Sequence, residues 1–233
     1  MSLTVAIPTM GRFSFLKDTI PRMLAISEVA HIVIIDEDGE DAAQIWESPW
    51  GDHPKLSIQI NESRVGIFEN KRRCLAAAPT PWVLLLDSDN EWPASSFKSL
   101  RLPATPTSIV AAARMLRRDM ATGQETRPLE CFASIDVGRH NWNEVLAGPR
   151  GYELLNDGNF IINRAALDLI PKGVPHERFR AADVLAWLHR LIGAGWTLRV
   201  DEKLEYIHNV HGGSAWFAEA ADSWAVMKSG WTL

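Results

Sequence analysis

Val83-Leu84-Leu85-Leu86-Asp87-Ser88-Asp89-Asn90 is an apolar run that stops abruptly at two carboxylates flanking one small residue. With Pro81 just before it, the run predicts a strand buried on both faces of a sheet. Residues two apart in an extended chain point to the same side, so Asp87 and Asp89 present their carboxylates together at the carboxyl end of the strand. Open α/β sheets bind their ligands at that end. Two carboxylates facing one way repel unless a positive group sits between them, and a hard divalent cation carrying phosphate oxygens meets that need. The competing reading is an Asp that only caps a helix or shapes a turn.

The sequence before this strand repeats one pattern. Residues 3–7 predict a strand stopped by Pro8, and Pro8-Thr9-Met10-Gly11-Arg12 turns into a helix with Phe15, Ile20, Met23, Leu24 and Ile26 on its apolar face and Pro21 as a possible kink. Residues 31–35 predict a second strand ending in Asp36-Glu37-Asp38-Gly39-Glu40-Asp41, followed by a helix over 42–46. Residues 56–60 alternate as a third strand, and 67–78 predict a helix carrying Lys71, Arg72 and Arg73, the last two on a solvated face. Strand and helix alternating at this spacing predict a parallel α/β arrangement.

The second half is less regular. Residues 109–118 and 125–132 read as a hairpin turning at Thr122-Gly123, and 137–155, without periodicity, as a loop that covers a site. A strand over 158–163 and a short helix over 165–170 precede a loop over 171–180. Asp183 then opens a helix patterned by Val184, Leu185, Leu188, Leu191 and Ile192 and ended by Gly193 and Gly195, and 196–200 return as a strand.

A length of 233 residues suits one large α/β domain, and no linker or repeat divides it. A net charge of -5 gives no electrostatic reason to expect nucleic acid as a partner. Cys74 and Cys131 are too few for a disulfide framework and are expected as reduced thiols. No apolar stretch is long enough for an integral membrane segment, and a cytoplasmic location is the expectation. Ten tryptophans point mainly to core packing, with Trp92 and Trp216 as candidates for stacking on a sugar.

In order and spacing these pieces resemble the family 2 inverting glycosyltransferases. Ile7-Pro8-Thr9 with Arg12 is similar to the family's opening strand and turn, Asp36 to Asp41 to its second acidic turn, and Gly66 to Arg72 to its glycine-led helix, with Lys71 in the basic position and Arg72 replacing an asparagine. Asp87-Ser88-Asp89 is similar to its Asp-x-Asp motif. The resemblance implies an α/β fold of the GT-A type, a Rossmann-like nucleotide-binding sheet, mostly parallel but mixed, flanked by helices. It implies one domain over 1–233, with a nucleotide-binding half over 1–90 and an acceptor-binding half over 91–233.

The implied reaction moves a sugar from a nucleotide-diphosphate donor, of UDP or GDP type, to a hydroxyl of a carbohydrate or other acceptor, with inversion. Pro8, Thr9 and Asp36 are then expected at the nucleoside, Arg12 and Lys71 near the base or phosphates, and Asp87, Ser88 and Asp89 at the diphosphate. Mn²⁺ or Mg²⁺ is expected on Asp87 and Asp89, with His211, or else His208, completing the shell; imidazole suits Mn²⁺ better. Asp183 takes the position of the general base, with Glu177 as the alternative. Where the family has Glu-Asp this chain has Ala182-Asp183, which keeps open a degenerate protein that binds a nucleotide sugar or glycan without transferring it. A nucleotidyltransferase of related architecture is the other alternative, although it would be expected to open with a glycine-rich loop. A haloacid-dehalogenase-type phosphohydrolase would carry Asp-x-Asp in its first strand, not its fourth.

Overall fold

The computed structural model describes residues 2–127, 132 and 134–233, the side chains of 215–218 and 220 excepted. In chain order the elements are β1 (Leu3–Thr9), α1 (Phe13–Leu24), β2 (Val29–Asp36), α2 (Glu40–Trp46), β3 (Leu56–Ile60), α3 (Ile67–Ala77), β4 (Trp82–Leu85) and α4 (Ala94–Ser99). Then follow β5 (Ser108–Asp119), β6 (Glu125–Thr126), β7 (Asp136–Val137), α5 (Trp142–Ala147), α6 (Gly151–Leu155), β8 (Phe160–Asn163), α7 (His176–Phe179), α8 (Asp183–Gly193), β9 (Thr197–Val210) and α9 (Ala215–Met227). The strands form one open mixed sheet in the order β3-β2-β1-β4-β8-β5-β9-β7, with β6 added to β5. From β3 to β4 all pairs are parallel, as the alternating strands and helices predict; β8 then runs antiparallel to both β4 and β5.

The order places β1 and β4 at the centre, and the sequence explains why they tolerate it. Leu3, Val5, Ala6 and Ile7 in β1 and Val83, Leu84 and Leu85 in β4 are all fully buried, as continuous apolar strands covered on both faces must be. Pro8 continues β1 rather than ending it. It lies beyond Ala6↔Leu85, the last pair with β4, where one flank of the strand has lost its neighbour and a missing N–H costs little.

Several expectations for the second half need correction. Residues 137–155 are not a featureless loop: they hold α5 and α6, each about one and a half turns long, too short to display a helical period. The 109–118 and 125–132 hairpin is present only as the pairing of Arg117 and Arg118 with Thr126 and Glu125, its farther part reaching outside the described residues, where Cys131 also lies. β5 instead pairs along most of its length with β9, in parallel. Trp92 is 2% exposed and packs edge-on to Phe97 in the core, while the side chain of Trp216 is outside the described set. Arg72, expected in solvent, is buried with its guanidinium 3.3 Å from Glu69.

The turn after β1 is fixed from a distance. No side chain of its own caps α1; instead the fully buried Asp41 of α2 accepts from the backbone N–H groups of Arg12 and Phe13 at 2.8 Å and from the Thr9 hydroxyl at 2.5 Å. Those N–H groups are the donors that a helix start leaves without partners, and the carboxylate also complements the helix dipole. Asp41→Ala is expected to destabilise the protein by about 2 kcal/mol, with Asp41→Asn losing less because an amide oxygen still accepts. Urea unfolding measures it, and equal midpoints for wild type and Asp41→Ala would refute the cap.

Candidate functional site

A cleft of about 940 Å³ opens at the carboxyl ends of β1 and β4. Pro8, Thr9, Arg12, Lys71, Asp87, Ser88, Asp89, Asp183, His208 and Glu177 all line it. Its centre is Lys71. The ammonium group lies 3.1 Å from an Asp87 oxygen and 3.0 Å from an Asp183 oxygen, and the lysine and Asp183 side chains are 3% and 4% exposed. Burial disfavours the lysine's charge, but Asp183 and Asp87 outweigh it and hold its pKa above the usual lysine range. Burial acts on Asp183 in the opposite sense, raising its carboxyl against the lowering pull of Lys71.

The second carboxylate of the strand end points to a different partner. Asp89 Oδ2 lies 2.9 Å from His211 Nε2 and 3.7 Å from the Arg12 guanidinium, which also donates to the Gly213 carbonyl. Arg12 thus ties the turn after β1 to the segment after β9. His208 is half-buried in the cleft wall, where desolvation lowers its pKa against the pull of Asp89 and Asp87 and favours the neutral imidazole. The 2.9 Å Asp89–His211 contact is of hydrogen-bond length, so the two groups partner each other directly. Among the described residues no set of three or more His, Cys, Asp or Glu forms a metal cluster. A pair of donors suits a cation whose remaining ligands are phosphate oxygens and water.

Asp36 is placed differently from the expectation. It is fully buried, its carboxylate accepts from the backbone N–H groups of Ala42 at 2.9 Å and Asp38 at 3.4 Å, and it does not line the cleft. Successive residues of a strand face opposite ways, and it is Glu37 that lines the cleft. One Glu37 oxygen accepts from Val65 N–H at 2.8 Å; the other is buried with no hydrogen bond among the described residues. Burial raises this carboxyl, with the Val65 bond opposing.

Two glycines mark close approaches. A Cβ on Gly158 would lie 2.0 Å from an Asp87 carboxylate oxygen, so the loop backbone presses directly on that side chain. Gly66 opens α3 at φ +81°, where a Cβ would also meet His176 at 2.6 Å. His176 in turn lies 2.7 Å from Glu219 on α9, and Arg180 lies 3.3 Å from Asp222 on the same helix. The terminal helix is therefore latched over one side of the cleft, and it brings Trp224 edge-on to Tyr152 there at 5.8 Å. With Tyr206 these are the Tyr and Trp rings that line the cleft; Tyr152 falls in the segment read as a loop covering a site, while Trp224 lay where the sequence pattern marked nothing. Glu177 is exposed on the rim, while Asp183 is buried inside.

The model of the family described as glycosyl transferase family 2 matches residues 4–168. The chain belongs to glycosyl transferase family 2. No curated protein matches it by sequence. Among solved structures, the crystal structure of S. aureus TarS 1-349 in complex with UDP-GlcNAc aligns with 99% of this chain at a TM-score of 0.64 and 14% identity. TarS 1-349 alone aligns with 90% at 0.62 and 17% identity, and its complex with UDP with 90% at 0.61 and 17%. The family 2 chain described here spans about three-fifths of the length of those TarS chains. The likeness establishes the fold: a GT-A sheet, mixed and mostly parallel, flanked by helices. No helix among the described residues is long and apolar enough to cross a membrane.

Removing Lys71 leaves the buried Asp183 and the half-buried Asp87 without their cation. Lys71→Met is expected to cost about 3–5 kcal/mol of stability in denaturant unfolding. Adding Asp183→Asn should restore part of that loss, since the neutral amide no longer needs the charge; strictly additive effects in the double variant would refute the coupling.

Proposed function

We propose that the chain transfers a sugar from a nucleoside-diphosphate donor to an acceptor hydroxyl, with inversion at the anomeric carbon. The observation that supports this most strongly is Lys71 joining Asp87, beyond the strand end, to Asp183, a buried carboxylate at the start of α8, in one cleft. An inverting displacement needs a leaving-group site and a base on opposite sides of one carbon, held at fixed separation. In this reading Asp183 takes the proton of the acceptor hydroxyl as that oxygen attacks the anomeric carbon, and the nucleoside diphosphate leaves from the other face. Lys71 favours the ionised form of Asp183 that can accept the proton.

Asp89 and His211 are the residues that would hold Mn²⁺ or Mg²⁺ on the diphosphate, with Asp87 and Ser88 beside them. A bound cation neutralises charge developing on the leaving oxygen. Its need is electrostatic: a diphosphate approaching Asp87 and Asp89 unaided would meet like charge. Arg12, reaching Asp89, belongs with the phosphates. Pro8, Thr9 and Glu37 line the part assigned to the nucleoside, Glu37 taking the place expected for Asp36. UDP and UDP-GlcNAc bound to TarS in its crystal structures make a uridine donor the first to try.

Thermal unfolding with UDP, GDP, dTDP and CDP, each with and without Mn²⁺, is expected to show a rise in midpoint for one nucleotide that grows with the metal. Asp89→Ala should abolish the metal-dependent part. Asp183→Asn should keep it and lower turnover by about 10²-fold or more. Donor binding in wild type without release of nucleotide to any acceptor tried would favour the binding-only reading that Ala182, buried where the family has a glutamate, leaves open.

The pH profile gives a separate check. A base acts only when ionised, and burial raises the Asp183 pKa, so kcat/KM is expected to fall on the acid side at a pH above the ordinary aspartate range. An acid limb at the ordinary aspartate pKa would argue against Asp183 as base.

A further inference from the structure

The far ends of β5 and β9 form one wall of the cleft. In the sheet order β2-β1-β4-β8-β5-β9 the part assigned to the nucleoside lies at β2 and β1, Asp87 and Asp89 follow β4, and this wall comes after them. It is docked on the strand-end segment: the Asn209 side chain donates to the Asp89 carbonyl at 2.8 Å, and the Glu91 N–H donates to the Ile207 carbonyl at 3.0 Å. The loop from Asn156 to Asn159, before β8, ties Asp87 to the base side: Asn159 accepts from the Asp87 N–H, and Asn156 from the Leu185 N–H in the first turn of α8. On the β5–β9 wall Met115 lies beside Tyr206 and Arg117 beside His208, and all four line the cleft. The Tyr206 hydroxyl donates to the Met115 sulfur at 2.7 Å, so that pair shares a face, and residues two further along each strand face the same way.

Arg117 differs from the other cations of the cleft. Arg12 pairs with Asp89, Arg64 with Asp38 at 3.0 Å, and Lys71 with Asp87 and Asp183. The Arg117 side chain is exposed and has no ion pair or hydrogen bond among the described residues. Arg118, next in the strand and facing the other way, is fully engaged, 3.4 Å from Glu91 and 3.0 Å from Glu125. An exposed guanidinium adds little to stability with or without a partner, so the fold itself does not call for an arginine at 117. In a concave site walled by protein its charge is felt more strongly than on an open surface.

We propose that Arg117 receives an anionic group, a phosphate or a carboxylate, carried by the acceptor, so that the acceptor is a charged hydroxyl compound rather than a neutral one. The proposal rests on the reading of the cleft as a nucleotide-sugar site. Position assigns the anion to the acceptor: the diphosphate of the donor belongs at Asp87 and Asp89, and the β5–β9 wall lies beyond them, in the half of the chain that follows the nucleotide side. Charge selects the spot, because Asp87, Asp89 and Asp183 repel a second anion, and Arg117 is where the cleft offers positive charge that no described carboxylate neutralises. The planar fork of a guanidinium matches two oxygens of either group. His208 beside it, neutral and without a hydrogen bond among the described residues, keeps a ring N–H to donate to the same anion.

Titration calorimetry tests it on the chain saturated with Mn²⁺ and whichever of UDP, GDP, dTDP and CDP binds best. The probes are glucose against glucose 6-phosphate and glucuronic acid, and glycerol against glycerol 3-phosphate. Wild type is expected to bind at least one charged probe about tenfold more tightly than its neutral counterpart. Arg117→Gln should bring the two within about twofold while leaving the affinity for the diphosphate within about twofold, and Arg117→Lys should keep part of the preference. Arg118→Gln, the same change of charge on the other face, should leave the preference in place. Wild type that binds a diphosphate but does not prefer any charged probe overturns the proposal and leaves the glycosyltransferase reading standing. Diphosphate affinity falling in Arg117→Gln in step with the charged probe puts Arg117 on the donor phosphates and overturns it likewise. A preference for UDP-glucuronic acid over UDP-glucose that disappears in Arg117→Gln gives the anion to the donor sugar, and the acceptor assignment falls. Failure of wild type to bind any of the four diphosphates overturns both readings together.

Discussion

The organisation of the cleft depends on one buried ammonium group between two carboxylates. Lys71 has almost no access to water, so its charge persists only because Asp87 and Asp183 are each about one hydrogen bond away. Desolvating three charged groups is expensive, and the arrangement is tolerable only while all three are present. That interdependence fixes α3, the end of β4 and the start of α8 relative to one another. It also leaves a net negative centre, with Asp89 adding to it and Arg12 offsetting it. A centre of that sign favours a ligand that brings its own cation.

The first half of the fold was legible because its strands are covered on both faces. Continuous burial leaves apolar runs, and each run ends where the sheet meets its ligand side, so Asp87 to Asp89 and the acidic turn after β2 stand out in the sequence. What the sequence does not display is which way a side chain turns after the strand ends. Asp36 and Glu37 are adjacent acids; one became a helix cap and the other a cleft residue, a choice set by α2 and by the Val65 N–H. Asp41 is similar, since its partners are backbone groups of α1 rather than of its own helix. Trp92 and Arg72 are buried beside Phe97 and Glu69, and α5 and α6 are too short for periodicity to reveal. Asn156 to Asn159 lacked any composition signal beyond being polar and lying before a strand.

The family match and the cleft divide the chain differently. The matched residues, 4–168, contain the nucleotide-side strands and Asp87 to Asp89, but not Asp183, His208, His211 or α9. Those later residues are brought against the matched part by geometry: Lys71 reaches Asp183 in the cleft, Asp89 meets His211, which does not itself line the cleft, and α9 closes on His176 and Arg180. Their place in the site therefore stands on contacts with the matched part. The Arg180 backbone, at φ +46°, marks where the chain bends sharply to bring Asp183 inward.

The long parallel pairing of β5 with β9 sets an order on assembly. Ala111 lies beside Val200 and Arg118 beside Asn209, pairs 89 and 91 residues apart, and Ala6 beside Leu85, 79 apart, whereas β2 joins β1 and β3 through short crossovers. Loop-closure entropy makes such distant pairings slow to form. The strands β1, β2 and β3 can pair first, while His211, carried just beyond β9, meets Asp89 only once the distant register of β5 and β9 is found. Folding kinetics would then show those three strands forming early, with the native cleft as the last event.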